Sequence, residues 1–250
     1  MSNGVGTDEK SLNRNSIKKF ILRVDILTNT NFNIGKAAEE MSKYFDRTEK
    51  RQLSQFTLHF TKSDSETSKK EVFDFVLISE AKSISLTFSE VQNAFWIESS
   101  QYINNSTYKG IMDDIVKELT LLNKETEAKI IGLRYINEFA CEKINNVNRI
   151  YGKRLSTIIK AMMLDKNQSR VIGVEEFNNA DGYKLRLQYG IPNKFYPSVI
   201  TVYDLLLDID SYIESTCNIN EWNDIITKLN HAAYEQFVRA INLSYLEVLK

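Results

Sequence analysis

The sequence has few of the residues that cross-link or interrupt a chain. Its two cysteines, Cys141 and Cys217, are far apart and belong to no CxxC or Cys/His pattern, which argues against a disulfide framework and a zinc site. Only Pro192 and Pro197 interrupt the chain. No Pro- or Ser-rich stretch separates its two halves, so we expect no flexible linker between them.

Long apolar runs and an excess of one charge are also missing. No stretch approaches the roughly 20 apolar residues of a membrane-spanning helix, and residues 1–18 lack the apolar core of a secretion signal. We therefore expect a cytoplasmic protein that does not bind membranes. General nucleic-acid binding requires clustered Lys and Arg, whereas the net charge here is -1. With 42% hydrophobic residues, the chain is able to bury a sizeable core.

The common catalytic motifs are absent as well. Gly152 precedes Lys153 and Arg154, but the other glycine of a phosphate-binding loop is missing, and no GxSxG nucleophile motif is present. His59 and His231 are the only histidines, and neither lies in a Cys/His metal motif. The sequence therefore predicts a protein that is not an enzyme and that holds no metal or cofactor.

A repeated pattern is the most informative feature that the chain does contain. Residues 21–26 and 132–137 are short apolar segments built around Leu22-Arg23 and Leu133-Arg134. Each is followed by periodicities that predict a helix, three strands and a long amphipathic helix. The sequence thus predicts an internal duplication of two β-α-β-β-β-α units, over residues 17–125 and 126–250, after a disordered tail at residues 1–16.

The predicted elements follow from hydrophobic periodicity and turn residues. In the first unit, Asn33 is the expected N-cap of a helix at 34–46. A second helix has its apolar stripe at 108–122, with residues 105–107 as N-cap candidates. Residues 63–70 are predicted to form a hairpin turn. Strands are predicted at about 18–28, 52–62, 71–80 and 83–98. In the second unit, Asp181-Gly182 is a hairpin turn. Strands are predicted there at about 129–140, 169–177, 182–190 and 198–213, and helices at about 148–164 and 220–241.

These elements predict the fold class. Strands joined by short turns pair antiparallel, and helices with one apolar face lie on a sheet. We expect an α+β protein with two four-stranded antiparallel sheets, separate or continuous as one eight-stranded surface, and with the long helices packed on one face.

Three aspartates near the end of the last long strand are candidates for chemistry. Asp204, Asp208 and Asp210 have even spacing, which places their carboxylates on one face of a strand. Such carboxylates hold Mg²⁺ or Ca²⁺, or act as acid and base. The alternative is the solvated end of a half-buried strand, which the lack of any further ligand motif favours.

Arg134 is the second candidate, because it lies inside a predicted strand. A guanidinium there binds a carboxylate or phosphate of a ligand with two hydrogen bonds. It otherwise joins the halves of the fold by pairing with Asp208 or Asp210, and Arg23 at the related place favours this alternative. The basic segment with Lys153, Arg154 and Lys160 is a weaker sign of an anionic partner, with a solvated helix face as its alternative.

Aromatic residues gather around the second predicted hairpin. Aromatic side chains beside polar groups are typical of protein interfaces. They are equally typical of a core, so both readings stay open for Tyr183, Tyr189, Phe195, Tyr196 and Tyr203.

Several segments together resemble a known family. They are the GLRYIN motif at residues 132–137, the LDID motif at residues 207–210 and the Leu229-Asn230-His231 segment followed by Phe237 and Ile241. The chain resembles a sporadically distributed family of bacterial and archaeal proteins of about 250 residues with no assigned function. The resemblance implies a gene that is transferred horizontally, as are the genes of defence or toxin-antitoxin islands. The positions that match the family pattern are Arg134, Tyr135, Asn137, Asp208, Asp210 and His231.

These observations lead to three functional hypotheses. The leading one is a non-enzymatic adaptor subunit of a bacterial multi-protein system, such as anti-phage defence, that binds a co-encoded protein. The second is a sensor that binds a nucleotide or small anion through Arg134. The third is a metal hydrolase that uses Asp204, Asp208 and Asp210. A homo-oligomer is compatible with each of them.

Overall fold

The structure is a computed structural model that describes residues 16–27, 33–60, 65–101, 105–122, 126–163 and 167–249. The first half contains β1 (Ile17–Ile26), α1 (Ile34–Ser42), β2 (Arg47–Phe60), β3 (Ser65–Ser79), β4 (Ile84–Ser89), β5 (Ala94–Ser99) and α2 (Asn105–Leu122). The second half contains β6 (Glu127–Phe139), α3 (Val147–Ile150), α4 (Lys153–Met162), β7 (Val171–Asn178), β8 (Tyr183–Ile191), β9 (Leu205–Ile213), β10 (Cys217–Asn218), α5 (Trp222–Ala240) and α6 (Leu243–Leu249).

A single antiparallel sheet joins both halves of the described chain. Its strand order is β2-β3-β4-β5-β1-β6-β9-β8-β7, and the short β10 pairs with β6. At the centre β1 pairs with β6, and Leu22 lies directly opposite Leu133. The prediction of an α+β fold with antiparallel strands is confirmed, but the sheet has ten strands rather than eight.

The two faces of the sheet differ because side chains alternate along each strand. Phe20, Leu22 and Val24 are buried on one face of β1, whereas Lys19, Ile21 and Arg23 on the other face are half-buried. The buried face continues from β1 to β6, because Leu133 and Tyr135 of β6 lie opposite Leu22 and Phe20. We call the face with Lys19, Ile21 and Arg23 the polar face.

Two helices, α2 and α5, contact residues of the buried face. The ring of Tyr108 on α2 lies 4.4 Å from that of Phe20, and the Tyr135 hydroxyl donates a hydrogen bond of 2.7 Å to Asn230 Oδ1 on α5. The Phe20 and Tyr135 rings contact each other at 5.1 Å. Burial of such aromatic side chains contributes about 1.5–3 kcal/mol each to stability. No helix in the described ranges has both the length and the apolar character that crossing a bilayer requires.

The predicted strand at 83–98 is wrong, because it is two strands joined by a turn at residues 90–93. Asn93 adopts a left-handed conformation with φ 48°, and its side-chain amide donates to the carbonyl of Ile26 at 2.8 Å. The backbone N–H of Gln92 donates to Ser89 Oγ at 3.2 Å. Ser89 and Asn93 are turn-forming residues, but the segment contains no glycine or proline, and the turn was not recognised in the sequence.

The predicted helix at 148–164 is also wrong, because it is broken at Tyr151. This residue is fully buried, its hydroxyl donates to the carbonyl of Leu206, and its backbone forms an isolated bridge with Ile241. The N–H of Gly152 donates to the carbonyl of Ala240 at 2.8 Å. Contacts with distant residues, which local periodicity does not report, divide the segment into α3 and α4.

Several other boundaries differ from the predictions. The helix predicted to 46 ends at Ser42, and the strand predicted from 198 begins at Leu205. β3 already begins at Ser65, inside the predicted turn, and the cap candidates at 105–107 fall within α2. The Asn33 cap and the Asp181-Gly182 turn are confirmed: Asn33 Oδ1 accepts from the N–H of Lys36, and Gly182 has φ +83°. Residues 1–15 of the predicted tail and the side chain of His59 lie outside the description.

Gly190 and Gly110 provide a matched test of the packing. A Cβ at Gly190, where φ is +140°, would lie 2.1 Å from the carbonyl oxygen of Val171, while a Cβ at Gly110 in α2 meets nothing within 4 Å. We expect Gly190→Ala to lower the free energy of unfolding by about 2–3 kcal/mol. Gly110→Ala should raise it by about 0.5–1 kcal/mol, because alanine is the better helix former. Urea unfolding measures both, and a Gly190→Ala protein of wild-type stability would contradict this packing.

Candidate functional site

A row of charged side chains crosses three strands of the polar face. Arg134 on β6 lies directly opposite Asp210 on β9, and Asp210 lies opposite Arg186 on β8. Asp208 and Gln188 form the next pair along the same two strands. Residues two apart on a strand share a face, so the sheet gathers all five side chains. We call Arg134, Arg186, Gln188, Asp208 and Asp210 the charged cluster.

Arg134 and Asp208 form the strongest contact in this cluster. Arg134 Nε donates to Asp208 Oδ1 at 2.9 Å, and Nη2 donates to Oδ2 at 2.6 Å. The Arg134 side chain is 42% exposed and that of Asp208 only 6% exposed. The hydrogen bonds to Asp208 are the main reason that the pKa of Arg134 is raised. Two short charge-assisted hydrogen bonds align the fork of the guanidinium with the carboxylate.

Asp210 lacks a bidentate partner, because Arg134 makes both of its hydrogen bonds to Asp208. Burial raises its pKa because water no longer solvates the charge. Arg134 and Arg186 lower this pKa and Asp208 raises it, but burial is the largest of these effects. The cluster thus holds one carboxylate in a strong ion pair and a second whose charge is disfavoured.

The charged cluster encloses little space. The cavity between its five side chains has a volume of about 10 Å³, which is at most the room for one water molecule. Arg134 is already bound to Asp208. This arrangement fits an ion pair that joins β6 to β9, two strands of the second half, so it does not connect the two halves as expected. The enclosed space is too small to hold a nucleotide.

The predicted carboxylate triad is not assembled. Asp204 precedes β9 and pairs with Lys194, whose Nζ lies 3.1 Å from Asp204 Oδ2, while Asp208 is bound to Arg134. Across the residues that the structure describes, no three side chains of His, Cys, Asp or Glu converge as metal ligands. In the basic segment, Arg154 is paired with Glu175 at 2.7 Å.

The remaining positions of the family-like pattern make contacts within the fold. Asn137 is buried, donates to the carbonyl of Leu207 at 3.1 Å and accepts from Ser16 Oγ at 2.9 Å. Tyr135 is buried against Phe20, with its hydroxyl bound to Asn230. His231 lies on α5 with a side chain 70% exposed, and its Nε2 is 3.4 Å from Glu235 Oε1. Only His231 among these three is on the surface.

A second candidate site is the loop between β8 and β9, which is organised by Asn193. This residue is buried in a left-handed conformation with φ 53°. Its side-chain amide donates to the carbonyls of Ser169 and Ser198 at 2.8 and 2.7 Å, and its Oδ1 accepts from the N–H of Phe195 at 3.1 Å. A single side chain therefore joins residues 193–198, in the first half of the loop, to one another and to the segment before β7.

This loop exposes two neighbouring aromatic residues. Phe195 is 53% exposed and Tyr196 is 57% exposed. Lys194 Nζ lies 5.6 Å from the centre of the Phe195 ring, and the guanidinium of Arg170 lies 5.1 Å from that of Tyr196. The cations restrict the two rings through cation–π attraction. We call Arg170, Lys194, Phe195 and Tyr196 the aromatic loop.

The other aromatic residues predicted for this surface lie elsewhere. Tyr189 is buried in the core with its hydroxyl donating to Glu175 Oε1 at 3.0 Å, and burial raises its pKa. Tyr183 and Tyr203 are partly buried against the core. The predicted docking surface is thus reduced to Phe195 and Tyr196.

Five residues of these sites were missed by the sequence reasoning: Arg170, Arg186, Gln188, Asn193 and Lys194. Arg186 and Gln188 alternate with buried Leu185 and Leu187, a pattern that would have placed them on the polar face. Asn193 follows Pro192, and asparagine is among the residues that tolerate positive φ, but a buried loop anchor leaves no further sign in the sequence.

Comparison with known proteins gives no relative for this chain. No protein-family model, no curated protein and no solved structure matches it. The geometry of the charged cluster and of the aromatic loop is therefore the basis for proposing a function.

Replacement of Asp208 tests the ion pair. We expect Asp208→Asn to lower the free energy of unfolding by about 1–2 kcal/mol, because a half-buried guanidinium loses two charge-assisted bonds. Asp204→Asn is the matched control, since its pair with Lys194 is more exposed and should contribute less than about 0.5 kcal/mol. Denaturant unfolding at neutral pH measures both. Equal losses in the two variants would contradict a special role for Arg134 and Asp208.

Replacement of Asp210 should have the opposite effect. Burial raises the pKa of Asp210 in the folded protein, so the protonated carboxyl is favoured and stability is lost as pH rises through that pKa. Asp210→Asn has no carboxyl to ionise. We expect the variant to be at least as stable as the wild type at pH 7, with the difference disappearing below the pKa of the unfolded chain. Thermal unfolding of both proteins between pH 3 and 7 measures this difference. A variant whose stability relative to the wild type is lower at pH 7 than at pH 3 would contradict the prediction.

Proposed function

We propose that this protein is a binding subunit rather than an enzyme, and that it holds a co-encoded protein through the aromatic loop. The observation that carries the proposal is the presentation of Phe195 and Tyr196, each more than half exposed, on a loop anchored by the three side-chain hydrogen bonds of Asn193. Tyr and Arg are enriched among the residues that dominate interface energies, and Phe is enriched at interfaces.

The anchoring of the loop supports this proposal energetically. Ordering a flexible loop on binding costs conformational entropy, which reduces the affinity that apolar burial generates. The loop is already held by Asn193 and by the N–H of Ile200, which donates to the carbonyl of Gln168 at 2.9 Å. Its two rings are also restricted by Arg170 and Lys194. A partner therefore meets a surface that needs little reorganisation.

We further infer that the sheet, with its helices, arose by internal duplication. The strand order β3-β4-β5-β1 on one side of the centre matches β7-β8-β9-β6 on the other, and β2 has no counterpart. The two Leu-Arg pairs meet at the centre, where Leu22 faces Leu133. The charged contacts have diverged, since Arg23 pairs with Asp25 of its own strand while Arg134 pairs across to β9.

The same sheet supports the idea that the long helices cover one face. Tyr108 of α2 and Asn230 of α5 contact Phe20 and Tyr135, whose side chains touch each other. Lys109 of α2 also donates to Thr227 Oγ1 of α5 at 3.0 Å. We propose that this body belongs to a bacterial multi-protein assembly, with anti-phage defence as the expected setting.

Co-purification of the protein with the product of the neighbouring gene tests the proposed function. We expect Phe195→Ala and Tyr196→Ala each to weaken this binding by about 30-fold, equivalent to about 2 kcal/mol. The folded protein should remain unchanged, because both side chains are largely exposed. Calorimetry or surface plasmon resonance with the purified partner measures the loss.

Tyr234 is the matched control for this experiment. It is an aromatic residue 51% exposed on α5 and is not part of the aromatic loop. Tyr234→Ala should leave the affinity within about twofold. A neighbouring gene product that does not bind at all, or one whose binding is insensitive to Phe195 and Tyr196, would contradict the proposed function.

A further inference from the structure

β2 leaves one edge of the sheet open. It is the end strand in the observed order, and within the described ranges no other strand pairs with its outer side. It is 14 residues long and pairs with β3 in an unbroken register from Arg47 to Phe60. An edge strand of this length presents a row of backbone N–H and C=O groups that are available for pairing with another strand.

Much of this edge extends beyond the body of the sheet. β4 pairs with β3 only from Asp74 to Ser79, so the pairs from Gln52–Phe73 to Phe60–Ser65 form a ribbon of two strands. Residues 51–56 and 67–71 are exposed, including Leu53 at 41% and Phe56 at 63%. Two-stranded ribbons are marginally stable in water, and a third strand stabilises them.

Charge is distributed unevenly along β2. Its charged residues are Arg47, Glu49, Lys50 and Arg51, whereas residues 52–60 contain no Asp, Glu, Lys, Arg, Pro or Gly. Charged residues, proline and bulges are the means by which exposed edges avoid pairing. The second part of β2 lacks these features.

The opposite end of the sheet shows the usual protection. β7 has only eight residues and carries the adjacent acids Glu175 and Glu176. Arg154 on α4 donates hydrogen bonds of 2.7 Å to both carboxylate oxygens of Glu175. The long uncharged edge is thus a particular property of β2.

We propose that β2 pairs antiparallel with β2 of a second copy, which makes the protein a twofold-symmetric dimer with one continuous sheet. A twofold axis perpendicular to the sheet makes each face of one copy continuous with the same face of the other copy. One residue of β2 then lies at the axis, directly opposite the same residue of the second copy. Leu53 at the axis brings two apolar side chains together. It also places Arg51 opposite Gln55, Lys50 opposite Phe56 and Glu49 opposite Thr57.

The uneven distribution of charge along β2 favours a second copy as the partner and favours this register, because it keeps like charges apart. Pairing centred on Lys50 would place two lysines opposite each other and Glu49 opposite Arg51, within a short overlap. Pairing centred on Leu53 sets the charged segment of each copy against the uncharged segment of the other. Like charges then do not meet across the interface.

A charge-swap experiment at Leu53 tests the dimer. We expect the wild-type protein to sediment as a dimer at micromolar concentration, and Leu53→Lys or Leu53→Glu alone to shift it to monomer, because two like charges meet at the axis. Mixing the two variants should restore a dimer that contains one copy of each. Analytical ultracentrifugation gives the mass, and native mass spectrometry identifies the mixed species.

The mixing step separates loss of the interface from loss of folding, since unfolded variants would not recombine. Leu121→Lys is the matched control: this leucine is 73% exposed on α2 and should leave the dimer unchanged. A wild-type monomer at 100 μM, a dimer that survives Leu53→Lys, or variants that stay monomeric after mixing would each overturn the proposal. Binding of the neighbouring gene product depends on the aromatic loop, so its presence or absence does not decide this result.

Discussion

The antiparallel pairing of β1 with β6 is the contact on which the rest of the molecule depends. It sets Leu22 against Leu133 and Phe20 against Tyr135, so the buried faces of the two halves are continuous at the centre. Every other strand is added outward from this pair, and both long helices contact residues of these two strands. One hydrophobic core therefore serves both halves of the chain.

The polar face shows how the sheet accommodates charge near its centre. Arg134 and Asp208 neutralise each other through two hydrogen bonds, which reduces the cost of withdrawing the nearly buried carboxylate from water. Asp210 has no such bidentate partner and is held where burial opposes its charge. The cluster links β6, β8 and β9 with almost no internal space. The two surfaces proposed for recognition, the aromatic loop and the edge of β2, are exposed instead.

Local patterns in the sequence predicted much of the fold. Runs of strand-forming residues beside turn signals predicted β1, β6 and β8, and the helical stripes predicted α1, α2 and α5, because one-sided burial of a helix imposes a period of 3.6 residues. The N-cap at Asn33 and the turn at Gly182 followed from chemistry within a few residues. The breaks at Asn93 and Tyr151 were missed, since the contacts that stabilise them come from β1, β9 and the end of α5.

The sequence by itself determined the α+β class, the antiparallel strands and the lack of a catalytic motif, because these depend on residue type and short-range spacing. Only the tertiary structure decided that Arg134 binds Asp208 rather than Asp210, that Tyr189 belongs to the core and Tyr196 to the surface, and that β2 is left at an edge. Strand order and diagonal contacts bring together residues that are many positions apart. No local pattern encodes those distances, so the sites emerge only when the sheet is assembled.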